Sequence, residues 1–193
     1  MNSIDVVGIR LVKEREFLCE KSIRTPLDAV EVLANELKFL DREILMTLNM
    51  NSKNKIINAH VCSIGSANMG IVDPKSVFKS ALLSGANRVM IIHNHPSGDC
   101  TPSQEDIDVT NLLIKGGRIL EIEVLDHIVI GENEYYSIVG DRQEKYTEIN
   151  NTDNLQNSYE SLELCENNDK KIWLEEDAVS YTHLRAHETC ADL

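Results

Sequence analysis

The sequence has few of the features that mark secreted or membrane proteins. Its 193 residues include five cysteines without a C-x-x-C pair, and this odd count suits reduced thiols better than a disulfide framework. No apolar run approaches the roughly 18 residues of a membrane span, and residues 1–13 lack a signal-peptide core. We therefore expect a cytoplasmic protein that has no membrane segment.

Basic charge is also scarce. The chain carries 19 Lys and Arg against 32 Asp and Glu, for a formal net charge of -13. Residues 1–140 hold 14 basic and 19 acidic side chains, and residues 141–193 hold 5 and 13. Because an acidic surface repels phosphate backbones, this balance argues against nucleic acid as a partner.

The composition divides the chain into one domain and a tail. Residues 1–140 have room for a domain of typical size. Residues 141–178 are acidic and poor in apolar side chains, so we expect a disordered extension. Residues 179–193 resemble the translated read-through of a sequencing adapter, and we expect no native function there. The i, i+4 pair His183 and His187 in that tail only mimics a helical zinc site.

The hydrophobic pattern of residues 1–140 mixes strands and helices. Apolar positions recur at helical spacing after Thr25-Pro26, and a polar turn at residues 51–54 separates two strand-like runs. This order predicts an α+β fold, an α/β sandwich with a central mixed sheet flanked by helices. The predicted strands are 5–13, 43–49, 56–63, 88–93, 123–131 and 135–139, and the predicted helices are 26–40, 74–85 and 102–115.

The most informative stretch has the pattern H-x-H-x7-S-x2-D. An apolar strand leads into His93, so the strand period of two puts His93 and His95 on one face. A helix that begins at Pro102 would place Asp106 about one turn in. Two imidazoles and one carboxylate suit zinc and leave a fourth position for water, as in a catalytic site.

Each piece of this motif also has a purely structural interpretation. Ser103 and Asp106 alone could form a capping box, but their conjunction with the histidines favours a metal site. Cys100 lies inside the loop, and we expect a nearby thiol and not a fourth ligand, since a closed shell would exclude substrate. His60 and His127 are expected to be packed or edge histidines of strands.

Together with residues 63–68, 73–82 and 117–131, the motif resembles the JAMM (MPN+) metalloproteases, and among them the JAB domain of bacterial RadC-like proteins. The resemblance covers about residues 4–140 and implies a JAB/MPN-like fold, related to that of cytidine deaminases.

The resemblance also implies roles for individual residues. His93, His95 and Asp106 would bind zinc, and Ser103 would assist catalysis. An upstream glutamate would be the general base, and the family's acidic position falls on Glu43, with Glu36 and Asp41 as the next candidates.

The implied function is a zinc-dependent hydrolase that cleaves a peptide or isopeptide amide bond in a peptide or protein substrate. One alternative is a DNA-processing role, as the name RadC indicates. Longer RadC proteins carry a helix-hairpin-helix segment before this domain, and we expect none here because the chain leaves no room for it. Another alternative is a non-catalytic interaction domain, which would not need the complete set of ligands.

Overall fold

The computed structural model describes residues 4, 7–14, 22–65 and 72–146 of the chain. These residues form three helices and six strands. In chain order the elements are α1 (Pro26–Leu37), β1 (Glu43–Met50), β2 (Ile56–Gly65), α2 (Pro74–Ser84), β3 (Arg88–Asn94), α3 (Gln104–Leu120), β4 (Glu123–Ile130), β5 (Glu134–Ser137) and β6 (Arg142–Lys145).

The six strands form one mixed sheet with the order β2-β1-β3-β4-β5-β6. The pair β3 and β4 is parallel, and the other neighbouring strands are antiparallel. Helix α3 crosses between the two parallel strands, because parallel neighbours need a long connection. The prediction of an α+β fold with a central mixed sheet is confirmed.

Helices α2 and α3 pack together over one face of the sheet. Leu45 of β1 and Ile91 of β3 share a buried cluster with Phe78 of α2 and Leu113 of α3. Since successive strand residues point to opposite faces, the odd-numbered residues of β1 and β3 lie on this side. Glu43 and His93 therefore face α3, while Met46 and Ile92, which are also buried, face the other way.

Several predicted boundaries are wrong. The strand predicted at residues 5–13 is not formed by residues 7–14, although apolar and polar side chains alternate there. Residues 5 and 6 lie outside the described part of the chain. Helix α1 ends at Leu37, three residues earlier than predicted. Helix α3 begins at Gln104, with Ser103 as its N-cap, and continues to Leu120.

Helix α3 continues through Gly116 and Gly117 because those glycines allow close packing. A Cβ at Gly117 would collide with the carbonyl of Ile122, and one at Gly116 would crowd the Phe78 ring. The glycines thus serve the approach of helix to sheet and do not end the helix.

Residues 142–145, which the sequence assigned to the acidic extension, form strand β6 and pair with β5. Tyr146 follows this strand and is 8% exposed, so the sheet continues past the predicted boundary at residue 140. The predicted extension from residue 147 and the tail at 179–193 lie outside the described residues. Within the described ranges, no helix combines the length and apolar character that crossing a membrane requires.

Candidate metal centre

Four potential metal ligands meet at one end of the central strands. His93 is the next-to-last residue of β3, His95 follows the strand, Glu43 begins β1, and Asp106 lies in the first turn of α3. One ligand atom from each side chain lies within 4.8 Å of every other. The first and last of these residues, Glu43 and Asp106, are 63 positions apart in the sequence, yet all four surround a single point.

The spacing of three of these groups matches a zinc site. The Nε2 atoms of His93 and His95 are 3.1 Å apart, and Asp106 oxygens lie 3.4 Å from His93 Nε2 and 3.7 Å from His95 Nε2. Zinc bonds of about 2.0–2.2 Å in a tetrahedral arrangement put neighbouring ligand atoms about 3.3–3.6 Å apart. The residues present thus fit a zinc ion in both donor chemistry and spacing.

His95 is oriented by the loop that follows it. Its Nδ1 lies 2.8 Å from the carbonyl oxygen of Asp99; a carbonyl only accepts, so Nδ1 carries a proton and Nε2 faces the cluster. The loop itself is fixed to the end of β4 and to the turn after it, because His95 N donates to the Ile130 carbonyl at 3.0 Å and Glu132 N donates to the Gly98 carbonyl at 3.0 Å.

The surroundings shift the pKa values of the two histidines in opposite directions. The Asp106 carboxylate beside it raises the pKa of His95 against the effect of its burial. Burial lowers the pKa of His93 well below its ordinary value, and the nearby His127 lowers it further. Two Nε2 lone pairs at 3.1 Å would repel each other, so a proton on His95 or a metal cation must lie between them.

Asp106 serves the helix and the cluster with the same carboxylate. Its Oδ2 accepts from Ser103 N at 2.7 Å and Ser103 Oγ at 2.6 Å, while its own N–H donates to Ser103 Oγ. Its Oδ1 lies 3.4 Å from His93 Nε2. Burial opposes ionisation, but the nearby imidazoles of His95 and His93 and the hydrogen bonds from Ser103 outweigh it and lower the pKa of Asp106. The capping box and the ligand role are therefore compatible.

Glu43 lies at the far side of the cluster, with Oε1 4.0 Å from His93 Nε2. Burial raises its pKa, and the charge of Asp106 adds to this effect while His95 opposes it. Asn94 brackets Glu43 along the chain: its Oδ1 accepts from Ile44 N at 2.8 Å, and its Nδ2 donates to the Arg42 carbonyl at 3.0 Å. Asn94, which lies between the two histidines in the sequence, thus fixes the start of β1.

His127 is a packed histidine of β4, as expected, but its contact with a candidate ligand was not predicted. His127 is 1% exposed, and its Nε2 lies 2.8 Å from Nδ1 of His93, directly behind the cluster. The strand register pairs it with Ile91, two residues before His93. His60 lies on β2 and Cys100 is buried in the loop, and neither belongs to the candidate ligand group found among the described residues.

The mixed sheet and this cluster define a JAB/MPN-type domain with a candidate metal centre. Residues 23–146 match the family model described as RadC-like JAB domain, so the chain belongs to the RadC-like JAB domain family. This membership implies a relationship to the JAMM superfamily.

Curated relatives agree with the family assignment. The chain is 45% identical over 116 residues to a UPF0758 protein of Desulfitobacterium hafniense (strain DSM 10664 / DCB-2), covering 60% of this chain and 51% of that protein. It is 44% identical over 132 residues to a UPF0758 protein of Bacillus mycoides (strain KBAB4), covering 68% and 58%. The chain thus spans somewhat more than half the length of these relatives, whose names state no activity.

Proposed function

We propose that this protein is a zinc-dependent hydrolase that cleaves a peptide or isopeptide amide bond. The observation that carries the proposal is the three-ligand set His93, His95 and Asp106, whose atoms are 3.1–3.7 Å apart, with the carboxylate of Glu43 beside it. Three protein ligands leave one position for water, which distinguishes a catalytic from a structural zinc site.

When bound, zinc would lower the pKa of a coordinated water toward about 7 and polarise the scissile carbonyl. Glu43 would accept the proton from that water and deliver it to the leaving amine. Its raised pKa supports this role, because a general base works best when its pKa lies near the operating pH. Its greater distance from His93 supports a base and not a fourth ligand.

Ser103 would act on the developing oxyanion, as the family resemblance implies. Its single hydroxyl proton is donated to Asp106 Oδ2 at 2.6 Å, so this action requires the hydroxyl to exchange one acceptor for another. Before that exchange, Ser103 positions the Asp106 carboxylate.

A peptide or protein substrate is the better match to the charge of the chain. With 32 acidic and 19 basic residues, the protein lacks the basic excess that a phosphate backbone attracts. A cytoplasmic location is part of the proposal and is supported by the free thiols of Cys62 and Cys100.

The test is a hydrolysis panel with zinc-loaded wild-type protein and Glu43→Gln. The panel contains a linear peptide library, an isopeptide-linked conjugate, and single- and double-stranded DNA. We expect amide cleavage by the wild type and a loss of at least about a hundredfold in kcat for Glu43→Gln, with zinc content unchanged. Loss of zinc in Glu43→Gln would make Glu43 a ligand. Cleavage of DNA alone, or of nothing, would contradict the proposal.

A further inference from the structure

A buried chain of hydrogen bonds lies behind His93. Nδ1 of His93 is 2.8 Å from Nε2 of His127, and Nδ1 of His127 is 2.6 Å from Oγ1 of Thr110. Thr110 Oγ1 is in turn 2.6 Å from the backbone carbonyl oxygen of Asp106. None of the three side chains is more than 2% exposed, so water does not compete for these bonds.

The backbone carbonyl of Asp106, at the end of this hydrogen-bond chain, fixes the direction of every hydrogen bond in it. A carbonyl oxygen only accepts, so the single proton of the Thr110 hydroxyl goes to Asp106. The oxygen of Thr110 must then accept from His127 Nδ1–H. His127 is 1% exposed, and its ring nitrogens contact the imidazole of His93 and the hydroxyl of Thr110, neither of which carries a negative charge. A second proton would bury an unpaired charge, so the ring is neutral and its Nε2 has no proton. His93 Nδ1 must therefore donate, which leaves the lone pair of His93 on Nε2.

We propose that Thr110 and His127 are positioning residues that set the tautomer of His93 and present its Nε2 lone pair to the metal. The inference rests on the metal site of the proposed function and extends it beyond the ligands. The hydrogen-bond chain begins at the backbone of one candidate ligand, Asp106, and ends at the ring of another, His93. Helix α3 therefore fixes both ligands together. His95 needs no such relay, because its Nδ1 reaches the Asp99 carbonyl directly.

Without the Thr110 hydroxyl, nothing holds the proton of His127 on Nδ1. The proton can then occupy Nε2, where it faces the Nδ1–H of His93 and favours the opposite tautomer of that ring. A proton on His93 Nε2 would block the metal. Because outer-shell partners of metal ligands typically contribute 10–100-fold in affinity, we expect a loss in that range.

The test compares Thr110→Val with Thr110→Ser. Valine keeps the branched shape and removes the hydroxyl, and serine keeps the hydroxyl. Zinc affinity, measured by competition with a chromogenic chelator, should fall about 10–100-fold in Thr110→Val and stay close to wild type in Thr110→Ser. Thermal melts of the metal-free variants show whether each one folds. Imidazole nitrogen NMR of the metal-free wild type should show His93 protonated at Nδ1.

The outcomes separate this inference from the proposed function. Equal zinc affinity in wild type and Thr110→Val, or equal losses in both variants, would overturn the role of the hydroxyl. His93 protonated at Nε2 alone in the metal-free wild type would overturn the tautomer assignment, and that measurement needs neither zinc nor a variant that folds. A wild type that binds no zinc would instead overturn the proposed metal site.

Discussion

A chain that ends at Gly140 should be strongly destabilised, because it lacks β6 and Tyr146. The Tyr146 ring is 8% exposed, and its hydroxyl donates to the carbonyls of Gly131 at 2.8 Å and Glu132 at 3.1 Å. Glu132 also holds the loop that follows His95, since its N–H donates to the Gly98 carbonyl. Loss of Tyr146 therefore acts on the site as well as on the sheet.

The expected loss in the free energy of unfolding follows from the burial of Tyr146 and from its hydrogen bonds. Removal of a buried aromatic side chain typically costs about 3–5 kcal/mol, and each hydrogen bond contributes about 0.5–1.5 kcal/mol. The ring and the two hydrogen bonds together give about 4–8 kcal/mol, a large part of the roughly 5–15 kcal/mol that stabilises a typical domain.

Urea denaturation of four proteins measures this difference: the full chain, a chain ending at Gly140, a chain ending at Asn150 and the Tyr146→Phe variant. A chain ending at Asn150 is the matched control, because it retains β6 and Tyr146. Tyr146→Phe in the full chain keeps the ring and should fall between the two. A chain ending at Gly140 that unfolds within about 1 kcal/mol of the control would refute the reasoning.

Two further predictions concern the supports of the candidate ligands. Asn94→Ala should unfold at lower urea concentration, because it removes the hydrogen bonds to the backbone of Arg42 and Ile44 on either side of Glu43. Each buried backbone group left unpaired costs about 1–3 kcal/mol. Unchanged stability would show that these two hydrogen bonds are dispensable. Ser103→Ala should cost about 0.5–2 kcal/mol as a lost helix cap and weaken zinc binding about 10–100-fold through Asp106. Ser103→Thr, which keeps the hydroxyl, is its control, and equal behaviour of both variants in melts and chelator competition would contradict the role.

The candidate ligands could be predicted because their spacing is local. His93, His95 and Asp106 lie within 14 residues, and a strand followed by a helix needs no long-range information to bring them together. Glu43 required the family resemblance, because 50 residues separate it from His93 and only the antiparallel pairing of β1 with β3 places it beside the histidines.

The relay through His127 could not be predicted from spacing. Its contact with His93 depends on the register of the parallel pair β3 and β4, and no local pattern sets that register. Strand β6 was missed because Arg142–Lys145 is entirely polar, as an exposed edge strand can be. Tyr146 was the available signal, since a single aromatic residue after a polar run marks a return to the core.

Zinc analysis of the purified protein tests the central claim most directly. Wild-type protein and the double variant His93→Ala with His95→Ala are dialysed against the same zinc buffer and measured by elemental analysis, with circular dichroism to verify the fold. The account predicts about one zinc per wild-type chain and almost none in the double variant, because two of the three protein ligands are lost. Equal zinc content in the two folded proteins, or no zinc in the wild type, would contradict it.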